Sequence, residues 1–222
     1  TQRQVTEAVG RGVCRGMEEH PSLRLGLILC CMRGDDRETE RRNRETVELA
    51  AEMKDGGIVC GVDLAGAEEV YDTGLFRDLF AQVRRYGLNR TIHAGEAAGP
   101  DSVWKALELG AMRIGHGIAA AKDEKLMQEL ADRKIPLEVC ITSNVQTKGV
   151  PSLEEHPIRK LYEAGVRVTI NTDNRTVSDT TMTKELRLAR EVLGFQEEDI
   201  RRMEEYAAEG SFLGRQTGRS RG

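Results

Sequence analysis

No run of this sequence stays apolar for the roughly 20 residues that cross a bilayer, and no charged-then-apolar signal segment opens it. Membrane partners are therefore not expected, and the chain is expected to be cytoplasmic. A dominant charge of one sign is also missing: 33 Lys and Arg stand against 37 Asp and Glu, a formal net charge of −4. Without a large positive field to hold phosphates, nucleic acid is not an expected partner. The arginines of the tail GRQTGRSRG are too short a run to change this. Five cysteines, Cys14, Cys30, Cys31, Cys60 and Cys140, are odd in number and never spaced as CxxC. That argues against a disulfide framework and against a cysteine zinc site. All but Cys14 lie in strand-like apolar runs and read as small buried hydrophobes. Linkers, repeats, heptads and low-complexity tracts are lacking too, so residues 1–222 read as a single domain. A starting methionine is absent: Thr1 leads straight into a helical pattern with Val5, Val9, Val13 and Met17 spaced by four, which reads as an excised or incomplete piece.

What is present is an alternation. Strand-like runs at 23–33, 58–66, 91–96, 113–117, 136–144 and 166–173 alternate with helical patterns near 38–55, 73–86, 101–110, 122–133, 154–164 and 181–193, with a further helix at 196–209. Asp101 looks like the N-cap of its helix. Strand starts some 20 to 35 residues apart match βα units, and continuous apolar runs suit parallel strands buried on both faces. The fold class is therefore α/β. Such a series closes into a (β/α)₈ barrel or lies open as a doubly wound sheet, and no GxGxxG follows the first strand to favour a dinucleotide fold. Six units are two short of a barrel.

The polar residues recur at one kind of place. His93 and Glu96 follow the third strand in TIHAGE, His116 ends the fourth in RIGHG, Ser143 and Asn144 end the fifth, and Asp173 and Asn174 end the sixth. In a barrel, the carboxyl ends of strands ring one mouth, where active sites are built. Imidazole and carboxylate are ligands for first-row metals, and His93 with Asp173 could hold Zn²⁺ from two strands. Two ligands are fewer than the three that catalytic zinc normally takes from protein. A zinc-bound water is acidified, and Glu96 and His116 are then placed to move protons, which is metal-assisted hydrolysis.

The stretches TIHAGE, RIGHG, ITSNVQT and NTDN, in this order and spacing, with VDLAG and ILCCMR, resemble the adenosine deaminases of the metal-dependent amidohydrolase superfamily, above all their bacterial members. The likeness runs from about Val5 to AAEGSFL at 207–213. It implies a (β/α)₈ TIM-barrel fold, here six of eight βα units, and zinc-dependent hydrolysis of adenosine or 2′-deoxyadenosine to inosine and ammonia. The partner it implies is a small-molecule purine nucleoside. The likeness further implies His93 and Asp173 as zinc ligands, Glu96 as the acid that protonates purine N1, and His116 as the group that orients and helps deprotonate the water. Gly66 would meet purine N3 through its N–H, and Asn174 would meet N7. Ser143 and Asn144 are read as supports of the strand end.

Two departures stand out. The family's first strand ends in a His-x-His pair that supplies two further zinc ligands, whereas the histidines here are His20, His93, His116 and His156. His20 and His156 each precede proline in turns and are not placed to replace a ligand. The first two βα units are thus expected to be absent, leaving two exposed strand edges and a chain inactive by itself. Asn174 stands where many members have a second aspartate. The alternatives are a metal-free, catalytically dead barrel fragment that binds or scaffolds, and a related deaminase of adenine or a purine nucleotide.

Overall fold

Six short strands pair in parallel, each returned to the same end of the sheet by a helix packed outside. The structure, a computed structural model, describes residues 1–213, and the basic tail lies outside the described residues. The order is α1 (Gln2–Glu19), β1 (Leu27–Met32), α2 (Arg37–Met53), β2 (Val59–Ala65), α3 (Arg77–Arg85), β3 (Thr91–Ala94), α4 (Pro100–Glu108), β4 (Arg113–His116), α5 (Glu124–Asp132), β5 (Leu137–Val139), α6 (Ile141–Gln146), α7 (Ile158–Glu163), β6 (Val168–Ile170), α8 (Met182–Glu191) and α9 (Glu197–Gly210). β1 pairs with β2, and β3 through β6 pair in chain order. Between the two groups, Val62 bridges Arg90 in parallel and its N–H donates to the Asn89 carbonyl at 2.9 Å. The result is an arc of six consecutive βα strands, the α/β barrel architecture expected, as a partial barrel.

Sequence pattern and structure agree where the signals are local. Asp36, Asp123 and Thr181 cap α2, α5 and α8 with their side-chain oxygens. The Asp101 cap is not formed: Gly99 is the N-cap and Pro100 opens α4, since proline lacks the N–H that a first helical residue leaves unpaired. The fifth strand is shorter than its apolar run, because the chain turns at Cys140 into α6 and carries Ser143 and Asn144 on a helix. α7 starts at Ile158, after the Pro157 turn, rather than near Glu154.

The core lies between strands and helices, with Phe80, Ile92, Ile114, Leu126, Leu137, Ile141 and Ile158 buried. At the amino-terminal end of the strands, Phe212 is buried, with the Arg113 guanidinium 3.7 Å from its ring centroid. A methyl on Gly61 would lie 3.0 Å from the Phe212 ring, so a strand glycine makes room for this plug. Two burial expectations fail. Cys30 is exposed, as is Met32, because β1 has a neighbour on one side only. Val5 and Val9 of α1 are exposed as well, and that helix buries Thr6 and Gly10 instead. At the other edge, all three residues of β6 are buried, so the two edges are not equally open.

Candidate active site

Where β3 ends, the sequence TIHAGE leaves the sheet through Gly95 at φ 73°. A methyl there would come within 2.6 Å of Val103 and 3.2 Å of Ala119, so only glycine lets this turn pack on α4. His93 pairs in register with Gly115 of β4, and Ala94 with His116. Gly115 has no side chain for a reason: its methyl would meet His93 Nδ1 at 2.8 Å. The His93 ring therefore lies across β4, 5.0 Å from the His116 ring between centroids and at 64° to it.

Both His116 and Asp173 adopt the left-handed backbone, with φ 59° and 53°. For residues other than glycine this conformation is uncommon and costs about 1 to 3 kcal/mol, and it turns each side chain at the end of its strand. His116 is buried at 2 % exposure, and its Nε2 lies 3.3 Å from Glu96 Oε2. Thr147, from α6's end, donates its hydroxyl to Glu96 Oε1 at 3.0 Å. Ser143 donates to Asp173 Oδ2 at 2.7 Å. Three strand ends thus converge on one mouth: His93 and Glu96 from β3, His116 from β4 and Asp173 after β6 belong to a connected cluster with α6, which follows β5, as its scaffold. Gly66 follows β2 at φ 111°, a backbone conformation that side chains rarely adopt, and a methyl there would lie 3.3 Å from the Arg33 nitrogen. Asn174 accepts from the Val177 N–H through Oδ1 at 3.0 Å, so it caps the following turn and keeps its amide NH₂ for another partner.

The cluster rests on residues the sequence reading left unassigned. Asp63, buried in β2, has Oδ2 2.9 Å from His93 Nδ1, an ion-pair contact in which the ring N–H is not aimed along the hydrogen-bond direction. Burial disfavours a charged His93, but the Asp63 contact outweighs it and lifts the imidazole to about 9. Arg33, buried at the end of β1, donates to the carbonyl of His93 at 2.7 Å and to Thr73 and the Tyr71 carbonyl. Glu68 is 8 % exposed and accepts from four successive N–H groups, Gly95 at 2.5 Å, Glu96 at 3.1 Å, Ala97 at 2.9 Å and Ala98 at 3.2 Å, as well as from the Ser102 hydroxyl. It holds the loop that carries Glu96. The available signals were an acid inside the apolar strand VDLAG and a charged residue ending ILCCMR, neither of which points to a partner in sequence.

Electrostatics separate the two proton-handling groups. Burial raises the Glu96 carboxyl above the usual range, the Thr147 bond and His93 oppose, and the charges of Asp173 and Glu68 push it further up. Burial, then the neighbouring His93, pushes the His116 imidazole down to about 4. A carboxyl biased to keep its proton thus lies beside an imidazole biased to stay neutral. As for metal, among the described residues no group of three or more His, Cys, Asp or Glu could hold an ion. His93 and Asp173 are two donors, so the residues present do not make up a zinc centre.

Comparison with known proteins bears on the chain as a whole. The adenosine deaminase family profile matches residues 1–220. An adenosine deaminase of Haemophilus ducreyi is 44 % identical over 194 residues, covering 86 % of this chain and 56 % of that protein. Among solved structures, an adenine deaminase from Arthrobacter aurescens superposes with a TM-score of 0.87 at 24 % identity, over 96 % of this chain and 63 % of that one. The N6-methyl-AMP deaminase from Arabidopsis thaliana gives 0.73 at 30 % identity, over 84 % and 54 %. The chain spans about 56 % of the length of the Haemophilus protein. The match of nearly the whole chain means that the chain belongs to the adenosine deaminase family.

Proposed function

We propose that this chain forms the larger part of the active site of a hydrolytic purine deaminase, acting on adenosine and 2′-deoxyadenosine to yield inosine or its 2′-deoxy counterpart and ammonia. The observation that carries the proposal is Glu96: a carboxyl raised by burial, held by Thr147, 3.3 Å from His116 Nε2 and on a loop clamped by Glu68. A carboxyl whose proton is held more tightly than usual by burial can give it to a ring nitrogen of the base, purine N1, which makes C6 open to attack by water. Water adds at C6 and ammonia leaves from it, so the substrate's amino group is exchanged for oxygen. His116 and Asp173 lie near Glu96 at the same mouth, where the attacking water is to be oriented. The NH₂ of Asn174 is a permanent donor suited to N7, an acceptor only, and the Gly66 N–H suits N3.

Zinc belongs to the proposal as a requirement the described residues do not meet alone. His93 and Asp173 contribute two donors, and a catalytic ion needs at least one more from protein.

A second reading has a specific basis. The likeness to the Arabidopsis N6-methyl-AMP deaminase, at 30 % identity, favours a nucleotide as an alternative substrate. Ammonia release from adenosine, 2′-deoxyadenosine, AMP and adenine, measured on the protein in a form as long as its relatives, decides. Turnover of adenosine with at least tenfold preference over AMP is expected. Preference for AMP would install the second reading, and no release from any of the four would overturn both.

A further inference from the structure

Behind His116, away from the mouth, a buried file of side chains ends on a backbone N–H. Ile158 donates its N–H to His156 Nδ1 at 3.2 Å. His156 Nε2 lies 3.4 Å from Asn144 Oδ1, and Asn144 Nδ2 lies 3.0 Å from His116 Nδ1. His156, Asn144 and His116 are 4 %, 0 % and 2 % exposed. Water has little access to any of them, so each polar atom depends on the next.

The direction of every bond follows from the first. A backbone N–H can only donate, so His156 Nδ1 must accept and carries no proton. Burial pushes the His156 imidazole down to about 4, which keeps the ring neutral and places its one proton on Nε2. That proton requires an acceptor, so the oxygen of the Asn144 amide faces His156 and its NH₂ faces His116. His116 Nδ1 then accepts in turn, and its proton lies on Nε2, the atom directed at Glu96. Asparagine amides and imidazole tautomers are ordinarily ambiguous, but here one main-chain donor removes the ambiguity at each link.

We infer that Asn144 and His156 are positioning residues which hold His116 in the Nε2–H tautomer, so that His116 presents a hydrogen-bond donor to the reaction site. In this role His116 orients the lone pairs of the attacking oxygen and stabilises the charge that develops on it. It does not act as the first acceptor of the water's proton. The meaning of that donor rests on the deaminase reading; the tautomer itself does not.

The chain has four histidines, so its imidazole ¹⁵N–¹H long-range spectra are simple enough to assign by single His→Gln substitutions. At neutral pH, with neither substrate nor metal added, His116 and His156 should both show the Nε2–H pattern. Asn144→Asp turns the middle link into an acceptor at both ends and should switch His116 to Nδ1–H. His156→Phe frees the Asn144 amide to turn over, and His116 should then show both tautomers. An Nδ1–H pattern for His116 in the wild-type chain overturns the inference, as does an unchanged His116 spectrum in either variant that folds. If Asn144→Asp fails to fold, the wild-type and His156→Phe spectra remain decisive. The predicted tautomers here, with no purine deaminated by a form as long as the relatives, would sustain the relay and sink the deaminase reading alone.

Discussion

Glu68 carries more hydrogen bonds than any residue singled out from sequence, and its position explains why Glu96 is held rather than solvated. Burial alone would raise its carboxyl, but the Ser102 hydroxyl and the N–H groups of Gly95, Ala97 and Ala98 outweigh burial and leave it below the ordinary range. A folded-state value below the unfolded one stabilises the fold above the ordinary glutamate value of about 4.5, and that stabilisation fades as pH falls through the depressed value. Glu68→Gln should therefore cost about 1 to 3 kcal/mol near neutrality by turning an NH₂ toward donors, and flatten the acid limb below about pH 4.5. Urea unfolding from pH 3 to 7 reads both; an acid limb as steep as the wild type's would remove Glu68 from this account. In the full-length protein Glu96→Gln should fold normally and lose about 10² to 10⁴ in kcat, because an amide cannot deliver the proton. A loss smaller than tenfold would take Glu96 out of the acid role.

Strand pairing decides what these residues can reach. His93 and His116 meet because β3 and β4 are in register at His93 and Gly115, and because Gly115 leaves room for a ring. Gly115→Ala would put a methyl 2.8 Å from His93 Nδ1 and 3.1 Å from its Cα, so the strand or the imidazole must move. The expected cost is about 1 to 3 kcal/mol, with the His93 ring resonances displaced in the same spectra that read the tautomers. A variant with wild-type stability and unchanged His93 signals would show the packing to be looser than this. α6 is the second deciding element. Its six residues carry Ser143 and Asn144 and end at Thr147, bringing Asp173, His116 and Glu96 under one scaffold. The run PLEVCITSN reads as one continuous strand because Val, Ile and Thr favour strands. The break at Cys140 comes from tertiary packing, with buried Glu185 of α8 accepting from the N–H and hydroxyl of Thr142.

At the level of the whole molecule, the arc has a β1 edge with Cys30 and Met32 exposed and a β6 edge whose residues are buried. Open strand edges template pairing with other chains, so the 222-residue chain should self-associate with rising concentration, and Met32→Lys should reduce this. Light scattering over a concentration series checks it, and a wild-type chain that stays monodisperse would refute it. Dialysis should likewise leave well under one zinc per chain, since His93 and Asp173 are two donors; a stoichiometric ion by metal analysis would require ligands beyond them. The sequence by itself determined the βα alternation and the placing of His93, Glu96, His116 and Asp173 at strand ends, because strand and helix periodicity depend on near neighbours. Only the tertiary structure decided that Asp63 backs His93, that Glu68 clamps residues 95–98 from 27 to 30 positions away, and that Asn144 and His156 stand behind His116. Apart from the Asn144–His156 link, those contacts join separate βα units, and a buried polar group takes whatever partner the closing sheet brings within reach, which no local pattern encodes.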